Sequence, residues 1–254
     1  MPTLARINVT PVKGTALQHL QSATLTDVGI SGNRRFFLMD PRGALYSGLA
    51  HGPLVQVVTT VDDATLTCRF PDGSVVADTT EWLGEPVVGR FYGRDVAGHV
   101  VEGPFSEAFS AYVGEPVRLV RSDRDGDGPD ELPLTLVSFA SVEELGRRGD
   151  NTGLDSRRFR INLELHGARP FEEDSWDGGC VRIGDAVIRI AGQIPRCAVT
   201  TQDPSTGLHD WNTLKQIARI RPLMATRQVP FGVYATVDTP GLVHVGDDVS
   251  PIAR

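Results

Sequence analysis

A chain of 254 residues with 40% apolar and 22% charged side chains can hide roughly 70–75% of its unfolded surface, so stability calls for no disulfide or metal staple. Its 32 acidic against 25 basic residues, a formal charge of -7, argue against duplex nucleic acid or an anionic membrane as the main partner. The 27 glycines and 17 prolines tilt the balance towards turns and away from long helices.

In chain order, Met1-Pro2-Thr3-Leu4-Ala5-Arg6-Ile7 lacks the charged leader and apolar run of a signal peptide. No later window approaches the roughly eighteen apolar residues of a membrane span, and the expectation is a cytoplasmic protein. Strand signals then dominate: 4–9, 35–39, 54–61, 64–70 and 117–121 are short, β-branched or alternating, and bounded by Gly, Pro or Asp. Phe105, Phe109 and Tyr112 recur at helical spacing before Gly114, which predicts a short helix with a glycine stop. The polar run from Asp123 to Glu131 reads as a loop or linker and divides the chain into 1–121 and 122–254. It imitates half a calcium loop through Asp123, Asp125 and Asp127, but Leu134 stands where the bidentate carboxylate belongs, so calcium is not expected.

Beyond the linker, Ser141 with Glu144 forms a capping-box pattern for a second helix closed by Gly146 and Gly149. Gly184-Asp185 marks a hairpin inside 181–190, and Gly246-Asp247 carries the same mark after Val243-His244-Val245. A third helix is predicted over 212–219, capped by Asn212 or Asp210 and stopped before Pro222. Residues 232–237 form the last clear strand, and the pattern as a whole is that of a barrel or sandwich decorated by helices.

The three cysteines are widely spaced, which fits reduced thiols better than a disulfide framework. Cys68 and Cys180 read as small buried hydrophobes. Cys197 is different: a single thiol after Arg196, downstream of the basic and amide cluster Arg157-Arg158-Phe159-Arg160-Ile161-Asn162, suits a site that holds an anion and presents one soft donor. The pairs Arg147-Arg148 and Arg157-Arg158 read as solvated charge, and Trp176 suits either a stacking role at the site or the core. The histidines lack zinc spacing, and neither phosphate-loop nor dinucleotide glycine motifs occur.

The ordered run Arg158-Phe159-Arg160-Ile161-Asn162, Glu173-Asp174-Ser175-Trp176, Ile183-Gly184-Asp185, Arg196-Cys197 and Thr200-Thr201-Gln202-Asp203-Pro204-Ser205-Thr206-Gly207 resembles the molybdenum cofactor sulfurase C-terminal (MOSC) domain. Within that family it is similar to the amidoxime reducing components and their bacterial relatives. Thr10-Pro11-Val12-Lys13-Gly14 and Gly32-Asn33-Arg34-Arg35-Phe36 look like the group's N-terminal β-barrel domain, so the resemblance covers nearly the whole chain. It implies a mainly β fold, a MOSC β-barrel with a few short helices and an N-terminal β-rich subdomain packed on it. It also implies a molybdenum cofactor (Mo-molybdopterin) at the seam, with Cys197 as metal ligand and catalytic centre. Lys13, Arg34, Ser138, Arg160, Asn162 and Arg196 are implied to line the pterin and its phosphate, which suits guanidinium and amide donors.

The implied activity is reduction of small N-hydroxylated substrates, amidoximes and hydroxylamines. Electrons would come from an external flavin, haem or iron–sulfur donor protein, because this chain has too few cysteines for its own cluster. Two departures from the family pattern stand out: Asn33 where relatives often have Asp, and Pro195 where some have Ser. The alternatives are a cofactor carrier or sulfur-handling module without redox turnover, and a β-barrel binding protein that has lost its metal.

Overall fold

The computed structural model describes residues 1–129 and 131–252. Asp130 of the expected linker, and Ala253 and Arg254 at the end of the expected second domain, lie outside the described residues. Among the described residues the fold is mainly β, with three α-helices: α1 (Phe105–Val113), α2 (Phe139–Arg148) and α3 (Thr213–Ile220). No helix is long and apolar enough to cross a membrane.

The largest sheet has eight strands, in the order 249–252, 180–183, 186–195, 230–239, 134–138, 163–166, 3–9 and 18–20. At its centre Leu134–Ser138 is buried at every position, as a strand covered on both faces must be. It pairs in parallel with Leu163–His166, so the chain between them has to cross over, and α2 with a 3-10 turn at Ser156–Phe159 makes that crossing. The first strand, Thr3–Val9, is laid antiparallel against Leu163–His166 and, with 18–20 paired on its other side, joins a sheet built otherwise from residues beyond the linker. The expected barrel is therefore a curled ladder, not a continuously paired ring. Its seam is held by one bridge, Thr3 to Asp248, and by backbone bonds such as Leu4 N to Asp247 O at 2.8 Å. Inside it Leu4, Ile7, Leu163, Ile188 and Val233 are fully or almost fully buried.

Residues 36–122 build a second body from a five-stranded and a three-stranded sheet, with α1 packed between them. The strand Phe36–Met39 explains why it coheres. Successive side chains point to opposite faces, and here Phe36 and Leu38 enter one core while Phe37 and Met39 enter another. Each such burial contributes about 1.5–3 kcal/mol. Gly114 stops α1 in the left-handed conformation, at φ 79°, as the sequence predicts.

Four local expectations change. The strand expected over 54–61 begins only at Val58, because Pro53 starts a 3-10 turn at Gly52–Gln56. The second helix starts earlier than the Ser141–Glu144 pattern suggests: Ser138 is its cap, accepting from Ser141 N at 3.1 Å, while Glu144 instead pairs with Arg147 and Arg148. Gly184-Asp185 makes the predicted two-residue hairpin, but Gly246-Asp247 joins strands of different sheets, Gly241–His244 on Ser22–Thr26 and Val249–Ile252 on Cys180–Ile183. Trp176 packs in the core, leaving no stacking role.

Candidate functional site

Where the two bodies meet, a cavity of about 720 Å³ is lined by Lys13, Arg34, Arg160, Asn162, Arg196 and Cys197, six of the seven residues predicted from the sequence. They arrive from four separate segments. Lys13 follows the first strand, and its amide donates to Phe36 O at 2.8 Å, which fixes the chain at its entry into the second body. Lys13 is 5% exposed, and its ammonium donates to Gly128 O at 2.8 Å, which ties the linker backbone to the edge of the site. A Cβ at Gly128 would lie 1.8 Å from Arg34 O, so no other residue fits that close approach.

Arg34 ends a turn whose buried Asn33 accepts from Thr10 N at 3.1 Å. Only the side-chain carbonyl is used there, so an amide serves as well as the carboxylate that relatives often carry. Both Arg34 and Arg160 sit at φ 54°, and the Arg34 guanidinium donates to Arg160 O at 3.3 Å. Arg160 caps the 3-10 turn and reaches Thr15 O at 2.7 Å. With Tyr92, three of the seven non-glycine residues at positive φ among the described residues line this one cavity. Such conformations cost ~1–3 kcal/mol each and gather where function holds them.

Asn162 forms rigid floor. Its amide nitrogen donates to Asn8 O at 3.2 Å, and its oxygen accepts from the Thr135 hydroxyl at 2.9 Å. Arg196 is held by its backbone N–H on Val229 O at 2.9 Å and by its guanidinium on Phe159 O, over the Phe159 ring. Cys197 begins the 3-10 turn Ala198–Thr201; its carbonyl accepts from Thr200 N at 3.2 Å and the Thr200 hydroxyl at 2.9 Å, while the thiol side is exposed. Cys68, by contrast, is fully buried, and burial pushes its thiol up to about 12.

Ser138 does not join this cavity. It is fully buried as the cap of α2, with Ser141 Oγ at 2.7 Å and Glu173 beneath both serines. Two cations are added that the sequence reading left out. Arg158, expected in solvent, is 4% exposed, pairs with Asp210 at 3.0 Å, and turns its Nε to no hydrogen-bond partner among the described residues. Arg94 donates to Asp127 O at 2.6 Å and to Pro129 O, tying the linker down. Among the described residues the lining thus carries six cationic side chains against one carboxylate, Glu131. Such a surplus suits an anionic ligand, and the exposed Cys197 offers a soft donor in the same lining.

Comparison with known proteins identifies the family. Residues 123–250 match the MOSC domain, and residues 1–85 match the MOSC N-terminal beta barrel domain. The chain belongs to the MOSC domain family. Among its relatives, mitochondrial amidoxime reducing component 2 of Bos taurus is 26% identical, over 97% of this chain and 82% of that protein. Mitochondrial amidoxime-reducing component 1 of Homo sapiens is also 26% identical with the same two coverages. A solved structure, the YuaD protein from Bacillus subtilis, is 12% identical over 98% of this chain and 94% of that one, with a TM-score of 0.47.

Proposed function

We propose that this MOSC protein is a molybdenum cofactor-dependent oxidoreductase that reduces N-hydroxylated compounds with electrons from a separate donor protein. One observation carries the reading: an exposed thiol and a surplus of cations share a single cavity. The names of its relatives, amidoxime reducing components, support the same substrate class. The residues present also fit the cofactor. A pterin phosphate needs several cationic donors, and no three His, Cys, Asp or Glu side chains converge among the described residues. A metal held at Cys197 must therefore arrive with its other donors attached, as a pterin-borne metal does.

Lys13, Arg34, Arg160 and Arg196 would hold the anionic end of the group, and Cys197 its metal. When bound, the cofactor supplies the two-electron chemistry that, with two protons, releases the oxygen of an N–OH group as water. The chain contributes placement. The Thr200 bonds to the Cys197 carbonyl fix the backbone from which the thiol projects. The bonds from Asn162 to Thr135 and Asn8 keep the floor from collapsing. The Arg34 guanidinium is braced on the Arg160 carbonyl and that of Arg160 on the Thr15 carbonyl, so their charges need little rearrangement to meet an anion.

The test is metal and activity measured together, on protein from a host that makes the cofactor. Wild type is expected to carry about one molybdenum per chain, as one thiolate site implies, and to reduce benzamidoxime with an artificial reductant. Cys197→Ser is expected to keep its melting temperature, since that side chain is exposed, and to lose more than ~100-fold in activity with its metal. Loaded but inert wild type would favour the carrier alternative. Absence of molybdenum would end the proposal.

A further inference from the structure

We propose that Leu49 and Tyr92 form a lip at the cavity mouth that selects N-hydroxylated substrates bearing a flat apolar group, an aryl amidoxime in preference to hydroxylamine itself. The inference rests on the function proposed above. Exposure along the cavity wall gives its direction: Lys13, Asn162 and Arg158 are 4–5% exposed, whereas Leu49 is 48% and Tyr92 65% exposed. Two of the six cations, Lys13 and Arg158, lie at depth and the other four are half-buried, whereas Leu49 and Tyr92 are exposed at the opening, as is Cys197.

The lip is fastened to the segment that follows Cys197. Gln202 Nε2 donates to Gly48 O at 2.8 Å, next to Leu49. Three residues on, a Cβ at Gly52 would lie 2.0 Å from Gly207 O, so backbone meets backbone with no side chain between. The Tyr92 hydroxyl lies 3.3 Å from Ser47 Oγ, which brings the ring to the same loop from the turn between Leu83–Phe91 and Arg94–Val101. One lip is thus built from two loops of the second body and clasped to residues 200–207.

The residue types point to recognition and not to folding. Two-residue hairpin turns favour Asn, Asp or Gly where φ is positive, yet position 92 carries a tyrosine at φ 34°. Tyr92 is 65% and Leu49 48% exposed, so each has apolar surface left for a ligand to cover. An aryl substrate whose N–OH end points to Cys197 would cover both, with ring contact adding to the apolar term. Hydroxylamine has no group long enough to touch them, so it reports on the thiol end alone.

The experiment compares kcat/KM for benzamidoxime and hydroxylamine on cofactor-loaded wild type, Tyr92→Ala, Leu49→Ala and Tyr92→Phe. In the two alanine variants the ratio of benzamidoxime to hydroxylamine is expected to fall about tenfold, mostly through the KM of benzamidoxime, while Tyr92→Phe keeps it. An unchanged ratio, or an equal loss on both substrates, overturns the lip. If wild type reduces neither compound, the proposed function fails, and the lip is judged by calorimetric binding of benzamidoxime. Binding weakened by Tyr92→Ala upholds it, and equal or absent binding overturns it.

Discussion

Two cavities share a wall and reach opposite electrostatic results. The larger carries six cations against Glu131 in its lining, and of these Arg158 is also paired with Asp210, which leaves a surplus of four. The smaller, about 430 Å³, also has two arginines, Arg6 and Arg157, but it sets them against carboxylates. Arg6 pairs with the buried Glu164 at 3.1 Å, and Arg157 with Asp155 at 2.6 Å. His19, on the same rim, is pushed below its ordinary value by burial and then by Arg6 and Arg157, so it adds no charge at neutral pH. The common wall is the 3-10 turn Ser156–Phe159, which gives Arg157 to one cavity and Arg158 to the other. The two cavities differ in the charge left over after pairing, and that surplus is what suits the larger to an anion.

The largest effect expected from this contrast is on cofactor retention. Arg160→Glu cuts the cationic surplus of the large cavity and removes one charge-assisted donor, so pterin and molybdenum content should fall, with affinity down about 10–100-fold. Arg157→Glu makes the same charge change across the wall and should leave both contents at the wild-type level, because Arg157 serves Asp155. Pterin fluorescence and metal analysis of the two variants decide it. Equal losses would break the comparison.

The smaller cavity should answer in stability instead. Arg6→Ala leaves Glu164, whose side chain is fully buried, without its cation. Urea unfolding should then show a loss of about 1–3 kcal/mol, with metal content and activity per bound metal unchanged. A loss of cofactor without a loss of stability would reverse the roles assigned to the two cavities.

The same contrast explains which parts were legible in the sequence. Lys13, Arg34, Arg160, Asn162, Arg196 and Cys197 were named from motif order, and the cavity gathers all six. Ser138 falls outside that cavity, and a Ser-Phe-Ala-Ser string looks the same whether its hydroxyl faces a ligand or caps a helix. Burial decides between these, and local spacing does not encode it. Arg157 and Arg158 were treated alike as surface charge, yet a 3-10 turn rotates successive residues by about 120°, so neighbours can serve opposite walls. Arg94 and the approach of Gly52 to Gly207 depend on contacts tens or hundreds of positions apart. The strands were legible where alternation or glycine turns marked them. The Gly246-Asp247 turn shows the limit, because turn chemistry fixes a reversal and not the sheet that receives the next strand.

Glu164 gives the finest test, because its charge state balances the smaller cavity. Burial pushes its carboxyl above the ordinary value near 4.5, opposed by a hydrogen bond from Ser156 and by Arg6. The folded chain therefore keeps the proton at pH values where the unfolded chain has lost it. This contribution to stability is complete below the ordinary value and is lost as pH rises through the folded one. Glu164→Gln carries no charge at any pH, and its oxygen can still accept from Arg6. Its stability should stay within about 1 kcal/mol of wild type while this downward slope with rising pH disappears. Arg6→Ala should act the other way, since removing the guanidinium raises the carboxyl further and carries the slope to higher pH. Urea midpoints measured from pH 4 to pH 8, roughly the span over which such a carboxyl titrates, distinguish the three proteins. If wild type and Glu164→Gln follow the same profile, Glu164 ionises in the fold as it does in water, and the balance of the smaller cavity does not depend on its burial.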